Sequence, residues 1–374
     1  MVYNYKYYLP ALLAFTGEKM LGNGPVLGIS FVISIVSIFA VLAFASRFKL
    51  YDTIDERKIH EGNIPRLGGI GFVFAIVAGV ALLYLNGSSF VSITPRIWCM
   101  VAGGVLIFVM GVWDDIHPWR ARRKLLVQVT AALLTLVGGF TFHKVSFSSL
   151  NINWNLGLLR YPVTFIWIIG VTNAVNLIDG LDGLAGGIAV FVSLTYALFF
   201  YRYGNDPAMM LCLLVAVSVA GFLVFNLPLP RARIFMGDGG SQFLGYMLAC
   251  LPLITDWSGL ATISVPYAAA VLLIPIFDTF AALWRRKREG RGFFDPDQFH
   301  LHHKLLLIGF SKRATLVVVM AFQFLISTFI ALAGWTGGLI SAVLVIAVYL
   351  MGILFFTVIH IRKEDALVEK NGKN

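Results

Sequence analysis

Residues 208–226, AMMLCLLVAVSVAGFLVFN, form an uninterrupted run of 19 residues that contains no Asp, Glu, Lys or Arg. A helix rises 1.5 Å per residue, so about 20 such residues cross the hydrocarbon core of a bilayer. Within lipid, a helix satisfies its own backbone hydrogen bonds. The stretch therefore predicts a transmembrane helix, and similar runs recur along the whole chain.

The composition agrees with a chain that is mostly membrane. Of the 374 residues, 59% are hydrophobic and 13% are charged, and the mean hydropathy is +0.83; soluble domains carry about 25% charged residues. We expect an all-α polytopic integral membrane protein with about 11 transmembrane helices. The expected spans are 24–46, 68–86, 95–113, 124–142, 161–178, 185–203, 208–226, 239–254, 260–283, 314–333 and 337–361. Pro252, Pro266 and Pro275 predict kinks or breaks in the eighth and ninth spans.

The basic residues predict the orientation. One set of loops, together with the C-terminal tail, holds 23 of the 29 Lys and Arg. The positive-inside rule places that set in the cytoplasm, with the N-terminus outside and the C-terminus inside an inner (plasma) membrane. We expect one catalytic domain over residues 1–374, with its cleft on the cytoplasmic face, formed by loops at about 47–67, 114–123, 176–186, 227–240 and 284–313. The basic excess suits an anionic leaflet, and we expect no nucleic-acid partner.

Two adjacent acids close the third span in GVWDDIHPW. Asp114 and Asp115 repel each other, so they need a cation, a proton or bulk water between them. A solvated helix end is one interpretation. Basic residues follow directly, and Lys124 begins the next span, a mixture that favours a site for phosphate and metal.

The stretch NAVNLIDGLDG, residues 173–183, places polar residues at steps of three. Asn173 and Asn176 lie in the last turns of the fifth span, and Asp179 and Asp182 lie at or beyond its end. Gly180 and Gly183 allow a tight turn. Polar groups at membrane depth are costly unless they face a cavity, a metal or one another, which favours a functional role over packing.

A third cluster, RIFMGDGGSQFLG, places Asp238 before the glycines that open the eighth span. The amides at a helix N-terminus favour anions. Asp238 is either a helix cap or a ligand for a hard cation, and the other carboxylates favour the ligand, with Mg²⁺ as the expected ion.

Two basic loops complete the candidates. His300, His302 and His303 lie in DPDQFHLHHKLLLIG, where the spacing matches no H-E-x-x-H zinc site and the surrounding basic residues favour contacts with phosphate oxygens. In ERKIHEGNIPRLGG, the side chains of Lys58, His60 and Arg66 either follow the positive-inside rule alone or help to hold an anionic substrate.

In this order, the DD pair, NAVNLIDGLDGLAGG, FNLPLPRARIFMGDGGSQFLG and HLHH resemble the polyprenyl-phosphate N-acetylhexosamine-1-phosphate transferases, glycosyltransferase family 4. The resemblance covers about residues 47–310. IPRLGG and HLHH are similar to the corresponding motifs of one branch of this family. That branch transfers GlcNAc-1-phosphate from UDP-GlcNAc to undecaprenyl phosphate. The alternative is the phospho-MurNAc-pentapeptide transferase branch, which makes lipid I.

The resemblance implies a role for each candidate. Asn176 and Asp238 would bind Mg²⁺, with Mn²⁺ as a substitute, and Asp114, Asp115 and Lys124 would lie by the lipid phosphate. The nucleotide side would be contacted by Asp179, Asp182 and Asn226, and the UDP-sugar phosphates by His300 with His302 or His303. Asn173, Lys58, His60 and Arg66 complete the expected substrate site. Members commonly form dimers, so we expect a homodimer.

Two mechanisms and one other function class stay open. In one mechanism, the lipid phosphate attacks the sugar-bearing phosphorus directly. In the other, an aspartate attacks first and carries the phospho-sugar covalently until the lipid phosphate attacks. Intramembrane acids also mark ion pathways in secondary transporters. Transporters, however, bind near the bilayer midplane between repeated halves, whereas these acids gather at one face.

Overall fold

The computed structural model describes residues 8–48, 64–86, 95–147, 152–254, 263–292, 295, 297 and 299–371. Lys58 and His60 lie outside these ranges. The helices are α1 Tyr8–Phe48, α2 Gly68–Leu85, α3 Pro95–Ile116, α4 Ala121–Val137, α5 Arg160–Ile178, α6 Leu184–Arg202, α7 Asp206–Asn226, α8 Gly237–Cys250, α9 Val265–Val271, α10 Leu273–Arg288, α11 Leu301–Leu307, α12 Lys312–Thr336 and α13 Gly338–Asn371.

Every predicted span overlaps a helix, so the helical membrane architecture is confirmed. Among the described residues, eight helices are long and apolar enough to cross a membrane, or nine if α9 and α10 form one bent span. The fourth and eighth predicted spans are helices of 17 and 14 residues, because α4 ends before Gly138 and α8 passes into a 3-10 turn at Leu251–Leu253 that contains Pro252. These two short helices account for the difference from eleven.

The ninth span is broken as its prolines predict. α9 and α10 meet at an angle of 85°. Pro275 has no backbone N–H, so the carbonyl of Val271 loses its helical partner. The side-chain amide of Gln323, on α12, donates to that carbonyl over 3.1 Å. A neighbouring helix thus satisfies the backbone group that the bend leaves open.

The fold is all-α apart from one short hairpin that the sequence does not predict. Two antiparallel strands, β1 Lys144–Phe147 and β2 Ile152–Asn155, pair between α4 and α5, with Lys144 opposite Asn155 and Phe147 opposite Ile152. Each strand has only four residues, too few for an alternating pattern to stand out from an ordinary loop. The hairpin lies at the end of α5 away from the acidic clusters.

The centre of the fold is α8, which packs against α2, α3 and α5. Its glycines allow this approach, because a Cβ on Gly111 of α3 would meet the backbone of Gly239, and a Cβ on Gly69 of α2 would meet that of Gly240. The amides of Gly68 and Gly69 also donate to the carbonyls of residues 235 and 236, each over 2.9 Å. The first turn of α8 is therefore held against the start of α2 and the end of α3.

Candidate active site

Lys124 joins two acids that are far apart in sequence. Its ammonium donates to Oδ2 of Asp114 over 2.5 Å and to Oδ2 of Asp238 over 2.7 Å. The other oxygen of Asp114 accepts from the backbone N–H of Trp119 at 2.6 Å. Asp114 is 8% exposed, so the solvated helix end that one interpretation of the DD pair required is not what the structure shows.

The second acid of the pair caps α8. The Asp115 carboxylate accepts from the backbone N–H groups of Asp238 at 2.8 Å and Gly239 at 3.0 Å. It therefore satisfies amides that a helix N-terminus leaves without intrahelical partners. Asp238 does not cap its own helix, because its side chain faces Lys124 and lies 4.0 Å from a guanidinium nitrogen of Arg66. Of the two interpretations of the GDGGS motif, the geometry therefore does not support the helix cap. Asp238 is available for a substrate or a cation.

A chain of amides continues from Asp238 into the membrane region. Gln242 donates to Asp238 at 3.1 Å, Gln128 donates to Gln242 at 2.9 Å, and Asn173 donates to Gln128 at 2.7 Å. Asn173 also donates to the carbonyl of Ile169. Neither glutamine is predicted from the sequence, since a single polar residue on an apolar helix has no local signature. The network holds α4, α5 and α8 in register through groups that lipid would not solvate.

The remaining asparagines differ in their surroundings. Oδ1 of Asn176 accepts from the hydroxyl of Ser241 at 2.5 Å, which places Asn176 beside the first turn of α8. Asn226 is 4% exposed, accepts from the Gly183 backbone N–H at 2.8 Å and donates to the carbonyl of Ile234 at 2.9 Å. Both ends of the Asn226 amide hold backbone, so its predicted nucleotide contact gains no support from this geometry.

The turn after α5 carries the other two acids. Gly183 has φ +79°, a conformation that L side chains rarely adopt. Burial raises the pKa of Asp179 well above its usual range, and the carboxylates of Asp238, Asp115 and Asp182 add to the rise. The turn therefore brings Asp179 and Asp182 into the same electrostatic neighbourhood as the start of α8.

The histidine segment approaches this turn. A Cβ on Gly180 would meet the ring of His302, so the missing side chain is what allows the contact. The rings of His300 and His302 are nearly parallel with centroids 6.2 Å apart, and those of His302 and His303 are 4.2 Å apart.

These rings are not equivalent donors. Burial lowers the pKa of His302 to about 3, and burial also lowers that of His303. His302 is thus neutral near pH 7, and its Nδ1 has no hydrogen-bond partner among the described residues. His300 instead contacts Asp278 of α10, which the sequence analysis did not select.

The carboxylate and amide oxygens near the start of α8 suit a hard cation that also binds the phosphates of a substrate. The described residues contain no group of three or more His, Cys, Asp or Glu arranged to hold a metal by themselves. They do contain the oxygen donors of Asp238 and Asn176, and nearby carboxylates add to the rise that burial causes in the pKa of Asp179. Mg²⁺ is usually bound through one or two carboxylates and substrate phosphates, so these residues fit it.

Comparison with known proteins gives consistent matches. Residues 97–256 match the family described as glycosyl transferase family 4. The chain is 33% identical over 303 residues to a probable undecaprenyl-phosphate N-acetylglucosaminyl 1-phosphate transferase of Bacillus subtilis, covering 80% of this chain and 82% of the relative. It is 31% identical over 316 residues to a decaprenyl-phosphate N-acetylglucosaminephosphotransferase of Mycobacterium tuberculosis, covering 76% and 77%. An undecaprenyl-phosphate alpha-N-acetylglucosaminyl 1-phosphate transferase of Salmonella typhi is 30% identical over 293 residues, covering 77% and 78%.

Proposed function

The chain belongs to glycosyl transferase family 4, and we propose that it transfers N-acetylglucosamine-1-phosphate from UDP-GlcNAc to undecaprenyl phosphate. The products would be GlcNAc-diphospho-undecaprenol and UMP. This reaction would be the first membrane step of a cell-envelope polysaccharide such as O-antigen, enterobacterial common antigen or teichoic acid. The relatives named above support this donor and acceptor over the lipid I alternative, since each is named for N-acetylglucosamine and a prenyl phosphate.

The observation that carries the proposal is the contact of Lys124 with both Asp114 and Asp238, with Arg66 beside Asp238. Two phosphate-bearing substrates repel each other, so a site that joins them must place positive charge between them. Lys124 and Arg66 supply that charge, and the acids hold both cations at the start of α8. A secondary transporter would instead place its binding groups near the bilayer midplane, between repeated halves.

The family implies Mg²⁺, which Asp238 and Asn176 would hold beside the first turn of α8. When bound, the ion would neutralise charge on the phosphates of the donor. Asp115 would keep that turn in place through its contacts with the amides of α8. Ser241 would orient the Asn176 amide through its hydroxyl.

Direct transfer requires little base catalysis. A phosphate monoester has a second pKa near 6, so the lipid phosphate is mostly dianionic at pH 7. One of its oxygens would form a bond to the sugar-bearing phosphorus while the bond from that phosphorus to the UMP oxygen breaks. Asp114 would accept any residual proton, and Lys124 would hold the phosphate oxygens. In the two-step alternative, an aspartate carboxylate forms a bond to the phosphorus as the bond to the UMP oxygen breaks, and the lipid phosphate then displaces the aspartate.

The membrane placement follows from the loop charges. We place the N-terminus outside, the C-terminus in the cytoplasm and the active site at the cytoplasmic face of the inner membrane, with α4 and α8 counted among eleven spans. The acids of α3, the turn after α5 and α8 then share one face, where a cytoplasmic nucleotide-sugar can reach them. We also propose a homodimer, on the basis of the family resemblance.

A transfer assay tests the proposed function. Purified protein in detergent is incubated with sugar-labelled UDP-GlcNAc and undecaprenyl phosphate, and the lipid phase is analysed. We expect a labelled lipid whose formation stops with EDTA and returns with added Mg²⁺ or Mn²⁺. A matched reaction with labelled UDP-MurNAc-pentapeptide should give no lipid product. If only that donor reacts, the protein belongs to the lipid I branch instead.

A further inference from the structure

Asp278 is a buried acid that none of the acidic motifs contains. It lies on α10 after the bend and is 1% exposed. One of its oxygens lies 2.8 Å from Nδ1 of His300, and the other accepts from the backbone N–H of Leu301, also at 2.8 Å. A buried carboxylate is costly unless its hydrogen bonds are made, and both oxygens are used by two consecutive residues.

Nδ1 of His300 contacts Asp278, so Nε2 is the ring nitrogen on the side away from this acid. The oxygens of a carboxylate accept hydrogen bonds, and Nδ1 of His300 donates in this contact when it carries the ring hydrogen. Nε2 is then the ring nitrogen that remains for another partner. The bond also fixes the plane of the imidazole, as carboxylates commonly do for functional histidines.

The effect of Asp278 extends along the histidine segment. Leu301 begins α11, and its N–H is one of those that a helix start leaves without an intrahelical partner. His302 stacks parallel to His300 and lies against Gly180, in the turn that carries Asp179 and Asp182. Asp278 therefore anchors both the first ring and the helix that holds the other two.

We propose that Asp278 is a positioning residue for the transferase reaction. It holds His300 in the Nδ1–H form and keeps the histidine segment in place, with His302 against Gly180, where the imidazoles meet the UDP-sugar. This inference rests on the proposed function for the identity of that substrate. The acid acts through His300 and does not itself contact the donor.

Steady-state kinetics of Asp278→Asn test the role. An amide has a single acceptor oxygen, so it cannot serve both His300 and Leu301. We expect kcat/KM for UDP-GlcNAc to fall about 10- to 100-fold, with most of the change in the KM for UDP-GlcNAc. The KM for undecaprenyl phosphate should stay within about twofold of the native value, since that substrate is bound elsewhere in the site.

Asp297→Asn is the matched control. Asp297 holds the same loop by accepting from Arg285 at 2.6 Å and from the backbone of Phe299 at 3.0 Å, but it does not bond to the His300 ring. Equal losses in the two variants, spread over both substrates, would show that Asp278 only supports the loop. That result would overturn the inference.

A double-mutant cycle isolates the link to His300. Asp278 acts through this ring and through the Leu301 N–H, so Asp278→Asn should cause a smaller loss of kcat/KM in a protein that already carries His300→Ala than in the native protein. Losses that multiply in the double variant would mean that Asp278 acts independently of His300, which contradicts the proposal.

The tautomer can be measured without any turnover. In protein labelled with ¹⁵N-histidine, the imidazole signals of His300 are identified by their absence from His300→Gln. We expect an Nδ1–H signal in the native protein and its change in Asp278→Asn. A neutral ring with hydrogen on Nε2 would overturn the inference, whatever the protein transfers. If the native protein shows the Nδ1–H form but transfers no GlcNAc-1-phosphate, that result would count against the proposed function alone.

Discussion

The ammonium of Lys124 lies 2.7 Å from a carboxylate oxygen of Asp238, although 114 residues separate the two in sequence. This contact joins α4 to the first turn of α8 and places a cation next to the acid that the resemblance assigns to Mg²⁺. Asp238 is thereby held at the point where the third, fifth and eighth predicted spans come together. The first prediction concerns this acid.

Asp238→Asn should lower turnover about 10²- to 10³-fold or more, because a neutral amide pairs weakly with Lys124 and with a divalent cation. The variant keeps the side-chain volume, so expression and the elution profile in detergent should match the parent. Asp365→Asn, at an exposed position on α13, is the control and should retain full activity. Near-parental turnover of Asp238→Asn at ordinary Mg²⁺ would remove Asp238 from the site.

Gly180→Ala should reduce activity about 100-fold, because the new Cβ would push the His302 ring away from the turn that carries the acids. Gly170→Ala, earlier on α5, is the matched control, since a Cβ there meets nothing within 4 Å. Alanine is favoured over glycine in a helix by up to about 1 kcal/mol, so this control should be fully active and no less stable. Equal activity in both variants would show that the contact between Gly180 and His302 has no functional role.

Asp179→Asn should raise the melting temperature in EDTA, and the gain should grow as the pH rises above the ordinary carboxyl pKa of about 4. Burial and nearby carboxylates raise the folded-state pKa of Asp179, so its ionisation destabilises the folded protein. At low pH the carboxyl of Asp179 is protonated in both states and causes no loss of stability. The loss begins as the pH rises through the unfolded-state pKa and is complete above the folded-state pKa. The asparagine variant does not ionise and keeps that stability. A difference that is independent of pH, or that shrinks as pH rises, would contradict the raised pKa.

The orientation can be tested with single cysteines on opposite sides. In a Cys99→Ser background, Tyr203→Cys should react with an impermeant maleimide on intact cells, and Lys287→Cys should react only after the membrane is opened. Both positions are exposed, and the other two natural cysteines are buried. The opposite labelling pattern would place the acidic clusters outside the cell and contradict the proposed access for a cytoplasmic donor.

The sequence predicts the helices well because each apolar run is a local property of the chain. It also predicts the break near Pro275, since the missing N–H is a local property too. It misses the β1–β2 hairpin, whose strands are too short for a periodic signal, and it misses Gln128, Gln242 and Asp278. Each of these polar residues acquires a partner only when separate helices pack together.

The acids of the candidate site show the same division. The motifs identify Asp114, Asp115 and Asp238 as chemically unusual in an apolar chain. Only the packing of α3 against α8 separates their contacts: Asp115 holds backbone amides of α8, while Asp114 and Asp238 share Lys124. The adjacent acids are equivalent in the sequence and different in the structure, because a side chain's partners depend on which helix faces it.

In the proposed reaction a phospho-sugar, and not a sugar alone, passes to the prenyl phosphate. The most direct measurement uses UDP-GlcNAc that carries ³²P only on the phosphate attached to the sugar, with undecaprenyl phosphate and the purified protein. We expect the label to enter the lipid and unlabelled UMP to be released, with neither product formed by Asp238→Asn. Release of labelled UDP together with an unlabelled glycolipid would contradict it, as would the absence of any lipid product.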